Sequence, residues 1–186
     1  MMGYTRCHSA SGIRSWWREW FESRKPFLLF GSKFLGVHSL LYALSLMPHY
    51  QNFLTRATVI FAGIADALIQ ALGGNSVRDG TTLLSGTDAI LTVKPFCTAF
   101  DYSWFLIAFI VAFPARVSPK LLGLAIGVPL LLALNVLRIS SLYWTGVGSP
   151  SNFNFMHEQF WAVLLNFSTI CYAVVWIMWA KRRNPV

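Results

Sequence analysis

Three residues of this 186-residue chain carry groups that can do chemistry together: Cys97, Arg138 and His157. A thiolate is a strong nucleophile. An imidazole exchanges its proton near neutrality and can serve as general base and acid. A guanidinium presents five fixed N–H donors to an oxyanion or a carboxylate. Cysteine beside histidine is the usual arrangement of an activated thiol. The spacing brings these groups together. Cys97 and Arg138 lie at nearly equal distances from a short basic turn, Arg116-Val117-Ser118-Pro119-Lys120. Cys97 to Arg116 is about 28 Å of helix and Lys120 to Arg138 about 27 Å at 1.5 Å per residue. Both approach the roughly 30 Å of a bilayer's hydrocarbon core. A helical hairpin over residues 95–144 therefore lifts a thiol and a guanidinium to the same membrane surface, where His157 arrives from the next loop.

Each residue also has a plainer reading. Cys97 follows Pro95, a residue suited to the first turn of a helix. A thiol there feels the positive end of the helix dipole, which favours the thiolate; otherwise Cys97 is a packed structural cysteine. An arginine within an apolar helix costs about 2–3 kcal/mol, so Arg138 has a role or snorkels to headgroups. Asn135 lies one turn earlier on the same face and can orient it. Asp101 follows Cys97 by one turn. A carboxylate there opposes thiolate formation if close, or pairs with Arg138 or His157. Glu158 is placed to hold the loop beside His157. No second histidine or cysteine shares the site, so neither a metal nor another cofactor is expected.

The elements that position these groups read as membrane helices. Apolar residues make up 55% of the chain and charged residues 12%, which is a membrane composition rather than a globular one. The net charge of +8 sits at the ends of apolar runs, where cations orient membrane helices. It does not point to nucleic acid. The three cysteines, Cys7, Cys97 and Cys171, are odd in number and too widely spaced for a disulfide framework. Cys171, inside an apolar run, reads as a small hydrophobe. The first apolar run is too long for the h-region of a cleavable signal.

In chain order, residues 1–26 form a basic tail whose Trp16, Trp17, Trp20 and Phe21 suit a short interfacial helix ending at Pro26. Residues 27–186 form a single membrane domain. Residues 27–47 are a first span holding Lys33, which can snorkel, and the deeper His38. An intramembrane histidine is either functional or hydrogen-bonded between helices. Residues 55–73 gather Thr55, Arg56, Gly63, Asp66, Gln70 and Gly73 within an arc of about 100°, the pattern of a helix lying on a surface. The basic tail and Lys181-Arg182-Arg183 place both termini in the cytoplasm. An even number of crossings is then required of five apolar candidates. The one carrying Arg56 and Asp66 is the cheapest to leave at the interface. Residues 81–84 and 89–93 suit two strands of a small extracytoplasmic β-hairpin. Residues 96–115, 121–144 and 156–180 complete four spans. The expected fold is an all-α polytopic membrane protein in the cytoplasmic membrane, with the site on the extracytoplasmic face.

Over residues 57–165 the chain resembles the exosortase/archaeosortase family, in a compact single-domain form. The resemblance is carried by Leu72-Gly73-Gly74-Asn75-Ser76-Val77-Arg78-Asp79-Gly80, then Phe96-Cys97-Thr98-Ala99, then Asn135-Val136-Leu137-Arg138-Ile139, and last Phe155-Met156-His157-Glu158. It implies a sortase-like triad in which Cys97 is the nucleophile, Arg138 stabilises oxyanion or substrate, and His157 moves the proton. Thr98 would support the site. It further implies as substrate an exported protein with a C-terminal sorting tail, made of a short motif, a transmembrane helix and a basic end. Cys97 would cleave near the motif and pass the acyl group to an amine or to water. Family members commonly carry glycine where this chain has Ala99. Two readings from other classes stand beside this one. One is a small transporter or channel component with Arg138, Asp101, His38 and Lys33 along a polar path. The other is a non-enzymatic membrane assembly factor.

Overall fold

The computed structural model describes residues 10–86 and 88–183. Cys7 lies outside them, as do the side chains of Trp16, Trp17, Trp20 and Phe21. Helix α1 (Ala10–Ser45) runs on through Pro26, so no separate helix ends there. Proline removes one i to i−4 bond but need not stop a helix that neighbours or flanking groups support. After a tight turn come α2 (Pro48–Ala71), strands β1 (Ser76–Asp79), β2 (Thr82–Ser85) and β3 (Asp88–Thr92), helices α3 (Phe100–Ala112) and α4 (Val117–Gly148), and α5 (Trp161–Arg183).

Four helical segments are long and apolar enough to cross a membrane: 24–45, 48–71, 117–148 and 150–183. The number equals that of the expected spans; by length alone, 48–71 is among the four and α3 is not. The expected span over 96–115 contains only the 13 helical residues of α3, about 20 Å of rise. Non-helical chain carries the rest of that arm at both ends. Conversely, the segment read as 55–73 is a 24-residue helix.

Helices α3, α4 and α5 form the central bundle around Leu106, Ile110, Leu131, Ala173 and Trp176. Small residues let α4 and α5 approach closely, as in membrane helix pairs generally. A Cβ at Gly123 would stand 2.2 Å from the indole nitrogen of Trp176, and one at Gly127 would stand 2.4 Å from the Tyr172 ring. Helix α1 packs on α3 through edge-to-face aromatic pairs, Phe30 with Phe109 at 5.5 Å and Phe34 with Phe105 at 5.2 Å.

Helix α2 does not return along α1. Near its start, Tyr50 accepts a 2.7 Å hydrogen bond from the Trp104 indole of α3, and Phe53 meets Phe100. Further on, Ala57, Phe61, Ala65 and Ile69 share a core with Ile139 and Tyr143 of α4. At its far end Gly74 lies against Trp144. The helix thus climbs from the flank of α3 towards the end of α4 that carries Arg138.

The polar stripe of α2 also has a structural employer. Asp66 accepts the hydroxyl of Ser76 at 2.5 Å, and Gln70 donates to the Ser76 carbonyl at 3.0 Å. Both bonds tie α2 to β1. That strand is an addition to the expected hairpin: the sheet has three antiparallel strands in the order β1-β2-β3, with Val77 opposite Leu84 and Leu83 opposite Leu91. Its inner face presents Leu83, with Val93 just beyond β3, to the α2–α4 core.

Candidate active site

The chain leaves β3 through Val93, whose N–H donates to the Thr81 carbonyl at 2.9 Å. Pro95–Cys97 then makes a single 3₁₀ turn. The Cys97 N–H donates to the Lys94 carbonyl at 2.8 Å, and the buried Thr98 hydroxyl donates to the Pro95 carbonyl. Ala99 follows at φ 53°, ψ 15°, and only then does α3 begin. Cys97 is therefore not in the first turn of α3, despite its nearness to Pro95. It stands on a short turn between the sheet and the helix.

Ala99 occupies the left-handed region, which costs a residue with a Cβ roughly 1–2 kcal/mol. The methyl group is also buried. This explains why glycine suits the position. Ala99→Gly is expected to raise stability by about 1 kcal/mol, read as a higher unfolding temperature of the protein in detergent. An unchanged or lower temperature would show that the turn carries no such strain.

Opposite Cys97, the chain enters α5 through a π-helical turn, Phe155–Phe160. Such turns are rare and gather at functional sites. This one aims His157 Nε2 at the Cys97 sulfur, 3.9 Å away. Arg138 donates through Nη2 to the His157 carbonyl at 3.5 Å, so all three groups meet. The Arg138 backbone is held in turn: its carbonyl accepts the Ser141 hydroxyl at 2.9 Å, and Ser141 accepts the buried Trp161 indole N–H at 2.8 Å. Leu91, Val93, Ile139 and Leu142 wall the site around a space of about 10 Å³, the size of one water.

Cysteine–histidine sites often hold the imidazole with a carboxylate. Among the described residues, neither carboxylate expected near His157 does so here. Glu158 is exposed. Asp101 lines a separate groove with His38, Tyr102, Phe105 and Asn166, and does not join Arg138 or His157. The one-turn relation between Cys97 and Asp101 requires a helix that has not yet started at Cys97.

Instead, Phe153 stacks flat on the His157 ring, with centroids 5.9 Å apart and planes 7° from parallel. Nothing in its sequence context marks Phe153 beyond its place four residues before the histidine. Such stacking is worth about 0.5–1.5 kcal/mol. Phe153→Ala is expected to slow alkylation of the Cys97 thiol by up to about tenfold, with Phe153→Tyr near wild type. Equal rates for the alanine variant and wild type would show that the stack does not position the imidazole.

Asn135 is fully buried, and among the described residues neither its amide nitrogen nor its oxygen has a hydrogen-bond partner; Arg138 Nε is likewise unpartnered there. Asn135 and Arg138 lie on α4 one turn apart, and among the described residues no hydrogen bond joins their side chains. Buried unpaired polar groups are costly and call for an explanation. Here they leave donors and an acceptor at the heart of the site. His38 stacks on Phe34 at 5.9 Å, distant from this constellation in the fold.

A family model described as transmembrane exosortase matches residues 26–176. No curated protein and no solved structure matches the chain.

Proposed function

The chain belongs to the transmembrane exosortase family, and from that premise we propose that it is a membrane-embedded cysteine transpeptidase acting on the C-terminal sorting tails of exported proteins. The observation that carries the reading is the contact of Cys97 with His157 Nε2, with Arg138 bound to the same histidine's backbone.

In this reading His157 takes the Cys97 proton as the sulfur attacks the scissile carbonyl. Arg138 stabilises the oxyanion or a neighbouring substrate carboxylate through its free donors. The tetrahedral intermediate collapses, the C–N bond breaks, and His157 returns the proton to the departing amine of the tail. The upstream part of the substrate remains as a thioester on Cys97. An acceptor amine, or water, then attacks the thioester carbonyl and gives up a proton through His157, which restores the thiol.

The protein is a multi-pass membrane protein. We place it in the cytoplasmic membrane with the site on the outer face, and α2 at the interface there. Three features support the placement. The cations gather at residues 1–26, at Arg116 and Lys120, and at residues 181–183, as the positive-inside rule expects of cytoplasmic ends. Helix α1 rises alongside α3, with Phe30 near Phe113 and His38 near Phe105. Helix α2 then climbs further towards Trp144 rather than turning back. Four crossings by α1, α3, α4 and α5 keep both termini on one side.

The test is to produce an exported protein bearing a motif, an apolar helix and a basic end together with this chain. The tail should be lost, as a mobility shift, only when the chain is present. An unshifted substrate in a strain where both proteins reach the membrane would contradict the proposal.

A further inference from the structure

A second concave feature lies far from the chemistry, between the first half of α4 and the second half of α5. Gly123, on its floor, is about 22 Å along α4 from Arg138. The groove measures about 350 Å³, and Leu122, Ile126 and Val175 with the Tyr172 and Trp176 rings line it. Its polar groups are already satisfied. The Trp176 indole donates to the Pro119 carbonyl at 3.0 Å, and the Tyr172 hydroxyl donates to the Gly123 carbonyl at 2.6 Å. What remains for an occupant is apolar wall, suited to methylenes.

One end of the groove is charged. Arg183 lines it with Trp179, and the guanidinium is held 4.9 Å above the Trp179 ring. Stacking of this kind fixes a guanidinium while leaving its edge donors open. Arg183 has no carboxylate partner among the described residues. From Arg183 to Tyr172, α5 rises about 16 Å, against about 15 Å for half of a hydrocarbon core. The groove therefore runs from headgroup depth to the bilayer midplane, the reach of a single acyl chain.

We propose that this groove seats one acyl chain of an anionic phospholipid, with the lipid phosphate paired to Arg183. The charge sign follows from the last turn of α5, which carries Lys181, Arg182 and Arg183. Of these three, only Arg183 borders the groove, and this separates a built seat from a diffuse basic surface. The inference is independent of the catalytic reading.

The experiment is native mass spectrometry of the full-length protein in detergent. It is titrated with phosphatidylglycerol and with phosphatidylcholine of the same acyl chains. Wild type should retain phosphatidylglycerol about tenfold more tightly. Arg183→Gln should lose that preference, whereas Arg182→Gln, which removes the same charge outside the groove, should weaken binding by no more than about twofold. Ile126→Trp, which fills the groove, should weaken both lipids. Equal losses in the two arginine variants would show attraction to a basic patch and overturn the proposal. So would equal retention of the two lipids by wild type. Both arginines are exposed at a helix end, so these comparisons stand even if the tryptophan variant fails to fold.

Discussion

Replacing Cys97 with alanine is expected to bring tail cleavage down to the level seen without the protein. A loss on the order of 10⁵–10⁶-fold is typical when a catalytic nucleophile is removed. Serine should not rescue, because the imidazole 3.9 Å away is placed for a large, acidic sulfur, and a hydroxyl is far harder to ionise. The protein itself should survive the change. Cys97 is only half-buried, its N–H bond to Lys94 is made by the backbone, and losing a sulfur there costs on the order of 1 kcal/mol. Cys171, exposed on α5, is the internal control: Cys171→Ser should process tails at the wild-type rate. Measured as the fraction of substrate shifted per unit time at matched enzyme levels, these variants separate a reactive thiol from a packed one. If Cys97→Ala processes normally, Cys97 is structural and the function proposed is wrong.

The second large effect is expected at Arg138. Arg138→Lys and Arg138→Met should each lower the rate by about 10²–10³-fold, the usual consequence of removing an oxyanion donor. Lysine keeps the charge but loses the planar fork, so it should not rescue. Stability should change far less. Among the described residues Arg138 makes one long hydrogen bond, 3.5 Å from Nη2 to the His157 carbonyl, while its Nε is buried without a partner, so an apolar side chain of similar size gives up little. The methionine variant is thus predicted to be inactive with an unfolding temperature close to wild type. A variant that lost activity only in proportion to lost folded protein would mean that Arg138 holds the bundle rather than the reaction.

The meeting of Cys97 and Arg138 is legible in the sequence for a geometric reason. Two chain positions equidistant from a hairpin turn share a height whatever the local details, so these two can be matched by counting residues alone. The match survives the shortness of α3, because non-helical chain at both ends of that arm takes up the difference. Relations that depend on local helical phase fare worse. The one-turn spacing from Cys97 to Asp101 fails because the left-handed Ala99 intervenes and sends the carboxylate to another groove. Asn135 does lie one turn from Arg138 on a true helix, yet among the described residues its side chain bonds nothing.

The amphipathicity of α2 is visible in the sequence, whereas its use is not. Asp66 and Gln70 bond β1, a strand of four residues whose sequence, Ser-Val-Arg-Asp, lacks any run of β-formers. Phe153 leaves no signal beyond its place four residues before His157. Its ring meets the imidazole where the chain enters a π-helical turn, and no pattern of apolar spacing announces one.

A covalent intermediate on Cys97 is the most direct consequence of the proposed chemistry. Purified full-length enzyme mixed with a tail-bearing exported protein, quenched in acid at early times, can be weighed intact and then digested. The expected species equals in mass the enzyme plus the substrate less the released tail. It should be attached at Cys97, be discharged by hydroxylamine, and be absent from Cys97→Ala. Cleavage of the tail with no such adduct, or with the adduct on any other residue, would contradict a cysteine transpeptidase built on Cys97.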